Sequence, residues 1–308
     1  MKKTNIKVIG VGGSGSNAIS RMKKSKIEGV ELIVVNSDIQ DLKRAKADLK
    51  LRIGKSLTKG LGTGMNPQLG QKAAEEQREE IAEILKGTDI VFITSGFGGG
   101  TGSGASPVIA EIAKQSGALT IAIVTKPFSF EGTFRMRIAE KGIENLKNKV
   151  DTLLVIPNDK ILSLVDKETT LISAFWFSDG TLREAVRGIS DLISQPGIIN
   201  VDFADVKTIM KDSGRAFFGQ GQARGEKRIE KALNFALNSP LLDISIKGAK
   251  GILFNISGNP DISLAEVDET ARIITKIASP KAKIIFGVLQ DKKLKKEEAK
   301  ITLIATGF

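Results

Sequence analysis

The sequence predicts an α/β protein whose first half is a doubly wound, Rossmann-like parallel sheet. Two observations predict it: short apolar runs alternate with segments of helical periodicity, and glycine-rich turns follow two of the runs. The apolar runs cover residues 5–10, 30–35, 89–94, 118–124 and 152–156. The helical segments open at residue 18 and then cover residues 71–86, 105–115 and 133–148. In such a sheet the carboxyl ends of the strands share one edge, where ligands bind.

The second half has a different, α+β pattern. A long helix is predicted over residues 171–194, because apolar residues such as Phe175, Leu182, Val186 and Ile189 recur at helical spacing. Pro196 ends it. Helices to about residue 211 and over residues 226–238 and 264–278 follow, with strands over residues 251–256, 283–288 and 300–305 and a glycine-containing connection at residues 219–225. We therefore expect a first domain at residues 1–170, a central helix at 171–195 and a C-terminal domain at 196–308.

The composition excludes several kinds of active site. The 308 residues include no His, no Cys and no Tyr. Cys/His zinc sites, cysteine nucleophiles, Ser-His-Asp triads and histidine bases are therefore absent. Any acid–base chemistry must use Asp, Glu, Lys, or bound water and metal.

The net charge of +11 permits attraction to nucleic acid or anionic lipid. The densest basic groups, at residues 43–59 and 292–296, contain no interleaved aromatic residues, so they are interpreted as solvated surface and nucleic acid is not an expected partner. No apolar run reaches the length of a membrane span, and the first residues lead directly into a strand without a signal peptide. A cytoplasmic protein is expected.

The densest glycine loop, residues 96–104, lies between a predicted strand and a predicted helix with Pro107 in its first turn. A helix N-terminus offers unpaired N–H groups and a partial positive charge, and glycines allow that backbone to approach a ligand closely. An anion, most plausibly a phosphate chain, is the expected ligand.

A second glycine loop, residues 10–15, follows the first strand. It matches the Gly-x-Gly-x-x-Gly dinucleotide fingerprint, with Asp38 after the next strand as a possible ribose acceptor, and alone it would suggest an NAD-type enzyme. Two phosphate-binding loops on neighbouring strands fit a nucleoside triphosphate better. The Gly-x-x-x-x-Gly-Lys-Ser/Thr motif of P-loop NTPases does not occur.

Two pairs of side chains each have a functional and a structural interpretation. Asp179 could accept hydrogen bonds from N1–H and the 2-amino group of guanine while Phe175, one turn away, stacks on the base. In the structural interpretation, Asp179 is a solvated helix residue and Phe175 is a core residue. Asp202 and Asp205, one turn apart at a helix start, could polarise a water molecule and hold a cation; alternatively they cap the helix. Spacing alone favours the structural interpretation of both pairs.

Several motifs together resemble one family. Residues 98–104, Gly-Gly-Gly-Thr-Gly-Ser-Gly, are similar to the tubulin signature, and residues 200–210 resemble the synergy loop of the cell-division GTPases of the tubulin/FtsZ family. Further similar segments are residues 10–13, 155–159, 188–193, 239–242 and 304–308. The resemblance extends from residue 5 to the last residue.

The resemblance implies GTP and GDP as ligands, with Mg²⁺ or another cation at the phosphates and no protein metal ligand assigned directly. The implied nucleotide-binding residues are Gly12, Gly13, Ser14, Gly15, Ser16, Asn17, Asn36, Thr63, Gly64, Gly98, Gly99, Gly100, Thr101, Gly102, Glu131, Arg135, Asn158, Phe175 and Asp179. Thr63 and Gly64 would lie near the γ-phosphate, Glu131 and Arg135 near the ribose. The implied catalytic residues, Asn200, Asp202 and Asp205, would be offered to the next subunit's nucleotide.

That arrangement explains a separation predicted from the sequence. A helix of some 20 residues spans about 30 Å, so the synergy-loop acids lie too far from Asp179 to serve the same pocket. Head-to-tail stacking into a filament would bring them to a neighbouring subunit's γ-phosphate. The resemblance therefore implies a homopolymer at the division site, with division-machinery proteins as partners and no direct membrane insertion.

The chain departs from the family pattern at Ser16, at Thr63, where a small residue such as Ala is usual, and at Trp176, beside the pocket Phe. It ends at Phe308, where the family's globular core ends, so contact with membrane tethers through the family's tail is not expected. Two alternative functions remain open: an NAD-type oxidoreductase, and a relative that binds GTP and forms filaments without hydrolysis. The presence of both synergy-loop acids favours hydrolysis over the second alternative.

Overall fold

The computed structural model describes residues 4–27, 29–162, 166, 168–195, 197–239, 246–291 and 293–308. The chain divides into two compact units, Met1–Ser190 and Asp191–Phe308. The boundary falls inside the predicted central helix. The predicted helix stop at Pro196, and most of the 239–242 motif, lie outside the described residues.

The first unit is built on a parallel sheet, as predicted. Its strands are β1 (Ile6–Val11), β2 (Val30–Asn36), β3 (Leu49–Arg52), β4 (Ile90–Gly96), β5 (Leu119–Lys126) and β6 (Thr152–Pro157), in the spatial order β3-β2-β1-β4-β5-β6. The chain order reverses between β1 and β4. In a doubly wound sheet the ligand crevice opens at that reversal, outside the carboxyl ends of the strands.

Helices connect these strands: α1 (Gly12–Lys24), α2 (Ile39–Arg44), α3 (Pro67–Glu76), α4 (Arg78–Leu85), α5 (Gly100–Gln115), α6 (Thr133–Lys147), α7 (Asp159–Leu162) and α8 (Leu171–Ser194). A short 3-10 turn at Ser129–Glu131 precedes α6. The prediction of the long helix α8 is confirmed. The strand β3 lies in the basic stretch at residues 43–59, which is interpreted from the sequence as solvated surface, so it is not predicted. The short helix α2, which only overlaps the start of that stretch, is not predicted either.

Three predicted helices differ from the structure. The helix predicted to open at residue 18 begins at Gly12, and the helix predicted over residues 105–115 begins at Gly100, so both glycine loops supply the first helical turns. Pro107 consequently lies in the interior of α5 and not in its first turn. The single helix predicted over residues 71–86 is two helices that meet at Gln77, whose side-chain oxygen accepts the Gly54 N–H at 2.5 Å.

Glycines allow α3 and α5 to pack with their backbones in contact. A Cβ atom added to Gly104 would lie 2.0 Å from the carbonyl oxygen of Pro67, and one added to Gly70 would lie 2.3 Å from the carbonyl oxygen of Gly100. Real Cβ atoms do not approach so closely, so larger residues would force the helices apart. Part of the dense glycine loop therefore serves helix packing and not ligand approach.

The second unit has the predicted α+β character. It contains β7 (Gly197–Ile199), α9 (Phe203–Met210), β8 (Gly214–Arg224), α10 (Arg228–Leu237), β9 (Gly251–Gly258), α11 (Leu264–Ile277), β10 (Lys283–Gln290) and β11 (Glu298–Thr306). The strand order is β8-β11-β9-β10-β7, in which only the β9–β10 pair is parallel. Phe254 and Phe286 stack in its core, with ring centroids 5.3 Å apart.

The sequence predicts no strand at residues 219–225, but most of this segment belongs to β8, which pairs with β11. The glycines there are needed for packing: a Cβ atom on Gly219 would lie 2.0 Å from the Ala236 carbonyl oxygen, and one on Gly221 equally close to that of Ala232. The helix α10 thus lies directly on the strand backbone. In the described part of the chain, no helix combines the length and apolar character that a membrane span requires.

We predict opposite stability effects for two glycine-to-alanine substitutions in helices of the first unit. Gly104→Ala should lower the unfolding free energy by roughly 1–3 kcal/mol, because its Cβ atom collides with the α3 backbone. Gly180→Ala is the matched control: its Cβ atom meets only the Arg183 side chain, at 4.0 Å, so the better helix propensity of Ala should stabilise by about 0.5–1 kcal/mol. Urea unfolding followed by circular dichroism measures both, and equal effects of the two substitutions would contradict the packing argument.

Candidate nucleotide-binding site

A cavity of about 450 Å³ opens in the first unit beside the carboxyl ends of β1 and β4, where the strand order reverses. Most of the residues predicted to bind a nucleotide line it. They are Gly12, Gly13, Ser14, Asn36, Thr63, Gly64, Gly99, Gly100, Thr101, Gly102, Glu131, Arg135, Asn158, Phe175 and Asp179. The topology thus brings together residues that are separated by more than a hundred positions in the sequence.

Two helix N-termini form one end of the cavity. The helices α1 and α5 begin at Gly12 and Gly100, and a Cβ atom on Gly12 would lie 3.0 Å from the backbone nitrogen of Gly102. Both helices lie within the described residues, and neither has an acidic side chain in its first turn. Unpaired N–H groups and two helix dipoles therefore favour an anion at this end.

Four predicted residues do not line the cavity: Gly15, Ser16, Asn17 and Gly98. Gly15 packs α1 on β1, since its Cβ atom would lie 2.6 Å from the carbonyl carbon of Gly10. The buried Ser16 hydroxyl donates to the Gly12 carbonyl at 2.8 Å, and the Gly98 N–H donates to the Ser103 hydroxyl at 3.0 Å. These three residues therefore stabilise the loops without lining the cavity, whereas the Asn17 side chain is exposed.

Hydroxyl groups connect the loops around the end of the cavity that is formed by the two helix N-termini. Thr101 Oγ1 lies 2.7 Å from Ser37 Oγ and 3.1 Å from Thr63 Oγ1, and the Thr58 hydroxyl donates to the Ser37 carbonyl at 3.2 Å. The departure at Thr63 therefore adds a direct contact between its loop and the signature residue Thr101. Ser37 is not among the predicted site residues. It directly follows β2, which ends at the predicted site residue Asn36, so its position in the sequence could have indicated it.

Asp38 and Asp41 lie beside this network. The Asp38 carboxylate caps α2 by accepting the N–H groups of Gln40 and Asp41 at 2.8 and 3.1 Å, which gives Asp38 a structural function in place of the predicted ribose contact. Burial raises the pKa of Asp41, and the neighbouring Asp38 raises it further, while an N–H of Asn36 donates to Asp41 at 2.9 Å.

The other end of the cavity is formed by Phe175, Ser178, Asp179 and Asn158. The Ser178 hydroxyl donates to the Asn158 side-chain oxygen at 2.8 Å. The Phe175 ring packs edge-on against Phe128, with centroids 5.3 Å apart, and is 36% exposed, so it is not a core residue. A planar ligand could stack on its exposed part.

Asp179 is only 8% exposed, so its interpretation as a solvated helix residue is wrong. Burial raises the pKa of Asp179 to about 6, and the guanidinium of Arg21, which donates to the carboxylate, limits the increase. Arg21 was missed by the sequence reasoning: it lies 158 positions away in the chain, and no local pattern indicates the pair.

Glu131 and Arg135 form an ion pair on the cavity wall, with Arg135 Nη1 2.9 Å from Glu131 Oε2. The second Glu131 oxygen accepts the Phe128 N–H at 2.9 Å. Both side chains are therefore held in place before any ligand arrives.

The synergy-loop acids lie in the second unit and form a capping box on α9. Asp202 Oδ1 accepts the Asp205 N–H at 2.8 Å, and Asp205 Oδ2 accepts the Asp202 N–H at 3.3 Å. Asn200 Oδ1 accepts the Gly197 N–H at 2.7 Å. The structural interpretation of these acids thus applies, but each carboxylate keeps one oxygen outside the capping box.

Comparison with known proteins agrees with this geometry. The family described as "Tubulin/FtsZ family, GTPase domain" matches residues 5–166, and "FtsZ family, C-terminal domain" matches residues 214–308. The structure of an empty FtsZ dimer from M. jannaschii is 47% identical, with a TM-score of 0.93 over 99% of this chain and 89% of that one.

Two more distant structures share the fold. They are CetZ2 from Haloferax volcanii, solved as a GTPγS-bound protofilament (20% identity, TM-score 0.82, 98% of this chain and 92% of that one), and CetZ1 from the same organism, solved as a GDP-bound monomer (21% identity, TM-score 0.85, 99% and 94%). At that identity they support the fold alone.

The GTPase-domain match includes both glycine loops, so the interpretation as an NAD-type oxidoreductase is wrong. The match covers more than half of the chain, and the similarity to the M. jannaschii protein covers nearly all of it. This chain belongs to the tubulin/FtsZ family and is a GTPase of that family.

Proposed function

We propose that this GTPase polymerises head-to-tail into protofilaments of the cell-division ring, and that its active site is completed between adjacent subunits. The observation that carries GTP binding is the cavity itself. Two helix N-termini without acidic residues meet at one end, and a buried carboxylate lies at the other. That arrangement suits a ligand with a polyanionic end and a base that carries hydrogen-bond donors.

GTP would lie along the cavity with its phosphates on the loops that open α1 and α5. Backbone N–H groups of Gly12, Gly13, Gly100, Thr101 and Gly102 would bind the phosphates, since the cavity has no loop lysine of the P-loop kind. Thr63 and Gly64 would contact the γ-phosphate. Loss of that phosphate would change the contacts of the Thr63 loop, which would make assembly depend on the bound nucleotide.

The guanine base would lie against Phe175. An ionised Asp179 offers two acceptor oxygens, which suit guanine N1–H and the 2-amino group, and Asn158 would bind another edge of the base. Glu131 and Arg135 would contact the ribose. Adenine has an acceptor at N1 and no 2-amino group, so it cannot supply the same donors.

The attacking water would be polarised by Asp202 and Asp205 of the next subunit, with Asn200 beside them. Among the carboxylates that line the cavity, Asp41 bonds to the Asn36 side chain and Glu131 and Asp179 are in ion pairs, whereas Asp38 caps α2 through one oxygen. Asp202 and Asp205 bond only to each other's backbone in the described structure, so they remain able to polarise water. The related FtsZ from M. jannaschii, 47% identical, was solved as a dimer, which also supports self-assembly.

Mg²⁺ fits this site as a cation held mainly by the phosphates. In the described part of the chain no three acidic residues cluster as metal ligands, and Mg²⁺ commonly takes one or two carboxylates together with substrate phosphates and water. When bound, it would neutralise charge on the phosphate chain. The proposal further places the filament in the cytoplasm at the division site, with division-machinery proteins as partners and with neither nucleic acid nor direct membrane insertion.

We predict that phosphate release from GTP and Mg²⁺ depends on protein concentration. Specific activity should be near zero at low protein and rise together with light scattering above a threshold, because assembly brings the acids of one subunit to the nucleotide of the next. Turnover per molecule that stays constant with concentration would show that the site is complete within one chain. Scattering without phosphate release would instead favour a static filament.

We predict that Asp202→Asn and Asp205→Asn lower turnover by about 10²–10⁴-fold and leave GTP binding intact. Asn caps helices as well as Asp, and its side-chain oxygen can keep either bond of the capping box, so the substitutions remove charge with little loss of stability. The matched control is Ser263→Ala, which breaks the similar capping box on α11. It should cost about 1 kcal/mol of stability and leave turnover unchanged, whereas equal losses of turnover in all three variants would identify a general folding defect.

We predict that two inactive variants restore activity when mixed. Asp205→Asn subunits keep an intact nucleotide site, and Asp179→Ala subunits keep intact acids, so a mixed filament contains junctions with both. Phosphate release from the mixture should exceed the sum of the separate variants. No recovery, in a mixture that light scattering shows to co-assemble, would contradict a site shared between subunits.

A further inference from the structure

Arg21 holds three contacts at the end of the cavity where Asp179 lies. It belongs to the last part of α1, and its Nη1 donates to Asp179 Oδ2 and to the Phe175 carbonyl oxygen, the latter at 3.3 Å. The guanidinium carbon lies 5.2 Å from the centroid of the Trp176 ring, within the range of a cation–π contact. A carboxylate, a carbonyl and an aromatic ring therefore fix one guanidinium group.

We infer that Arg21 is a specificity-determining positioning residue, which keeps the Asp179 carboxylate ionised and thereby selects guanine over adenine. The inference rests on the proposed function, because it assumes that Asp179 contacts the base. Arg21 acts through Asp179 and not on the reacting phosphates.

The hydrogen-bonding pattern of a carboxyl group depends on its charge. An ionised carboxylate presents two acceptors, which complement the paired donors of guanine, N1–H and the 2-amino group. A neutral carboxyl group presents one donor and one acceptor, so it loses one of the two acceptors that guanine needs, and its donor can bond to the acceptor N1 of adenine. Protonation of one buried side chain would therefore change which base the cavity prefers.

Asp179 is close to that change. Its burial favours the neutral form and brings its pKa to about 6, with Arg21 as the opposing influence. The affinity for guanine should be constant above that pKa and fall about tenfold per pH unit below it, because only the ionised form binds. Loss of Arg21 would raise the pKa of Asp179 and move the fall in guanine affinity towards neutral pH.

Other charged groups near Asp179 have partners of their own. Arg183, one turn along α8, donates to Glu184 at 3.1 Å and to the Ser25 hydroxyl at 3.5 Å. Glu131 and Arg135 on the cavity wall are paired with each other. Asp38 and Asp41 also line the cavity, where Asp38 caps α2 and Asp41 accepts an N–H of Asn36. Among the described residues, Arg21 is thus the cation that contacts this carboxylate.

Trp176 strengthens the effect of Arg21. Its ring is 62% exposed, and its contact with the guanidinium limits the conformations of a long side chain that could otherwise point into solvent. The residue that departs from the family pattern beside the pocket is therefore the one that holds Arg21 over the carboxylate.

The test measures GDP and ADP affinities by calorimetry from pH 5.5 to 8.0 at constant ionic strength, since diphosphates avoid hydrolysis. For the unaltered protein we expect the GDP affinity to fall below about pH 6, with the ratio of GDP to ADP affinity falling in parallel. Arg21→Met keeps an apolar stem of similar length. In this variant the pH at the midpoint of the fall in GDP affinity should rise by about one unit or more, and the ratio of GDP to ADP affinity at pH 7 should fall roughly tenfold. Arg21→Lys should keep the original midpoint within about half a unit, because it keeps the charge.

Two further variants distinguish a failure of this inference from a folding defect and from a failure of the proposed function. Trp176→Leu changes an exposed side chain and leaves Arg21 in place, so it should shift the midpoint in the same direction by less. Asp179→Asn presents one donor and one acceptor at every pH, so it should bind GDP weakly, lower the GDP preference and show no midpoint.

The outcomes separate the two claims. If Arg21→Met and Trp176→Leu both keep the original midpoint and ratio while Asp179→Asn loses GDP affinity, Arg21 does not control the carboxylate and this inference is overturned. If Asp179→Asn binds GDP as tightly as the unaltered protein, Asp179 does not recognise the base, and the base-binding part of the proposed function fails with it.

Discussion

Backbone contact at the carboxyl ends of β1 and β4 is the constraint on which the rest of the first unit depends. The loop that opens α1 touches the loop that opens α5, Gly15 lies on the β1 backbone, and Gly104 lies on that of α3. Each contact needs a residue without a side chain. Because these contacts hold, two helix N-termini point into one cavity, and the Thr63 loop at the start of α3 is held against Thr101. The positions of the anion-binding groups are thus set by packing before a ligand binds.

At the end of the cavity where we propose that the base binds, burial and charge oppose each other. Burial of Asp179 excludes water that would compete for the hydrogen bonds of a bound base, but the same burial opposes the ionised form that makes those bonds. An ion pair with Arg21 partly resolves the conflict and leaves the carboxyl group titrating close to physiological pH. Under the proposed function, selectivity at this end is therefore an electrostatic property, whereas affinity at the end formed by the helix N-termini is a property of backbone geometry.

Much of the fold and most of the cavity could be predicted from the sequence, because the parallel strands and α8 show regular apolar patterns and strand ends must share an edge. The failures have local causes. The glycines in β8 are typical of a loop, but in the structure they allow α10 to pack directly on the strand. The charged residues of β3 obscure the apolar pattern of a short edge strand. The Arg21–Asp179 pair depends on tertiary structure alone. For Asp202 and Asp205, the pattern that suits a water-polarising pair also suits a capping box, and the structure shows the latter without removing the former.

The glycine signature at residues 98–104 contributes residues to the cavity wall and also allows α5 to pack on α3. Gly104 is required by the neighbouring α3 whether or not a nucleotide is hydrolysed. A relative that had lost its catalytic acids would still be under selection to keep this glycine, because a larger residue would separate two helices of the core. The signature therefore indicates a shared architecture, and under the proposed mechanism the capacity for turnover has to be judged from Asp202 and Asp205, which lie in a different part of the chain.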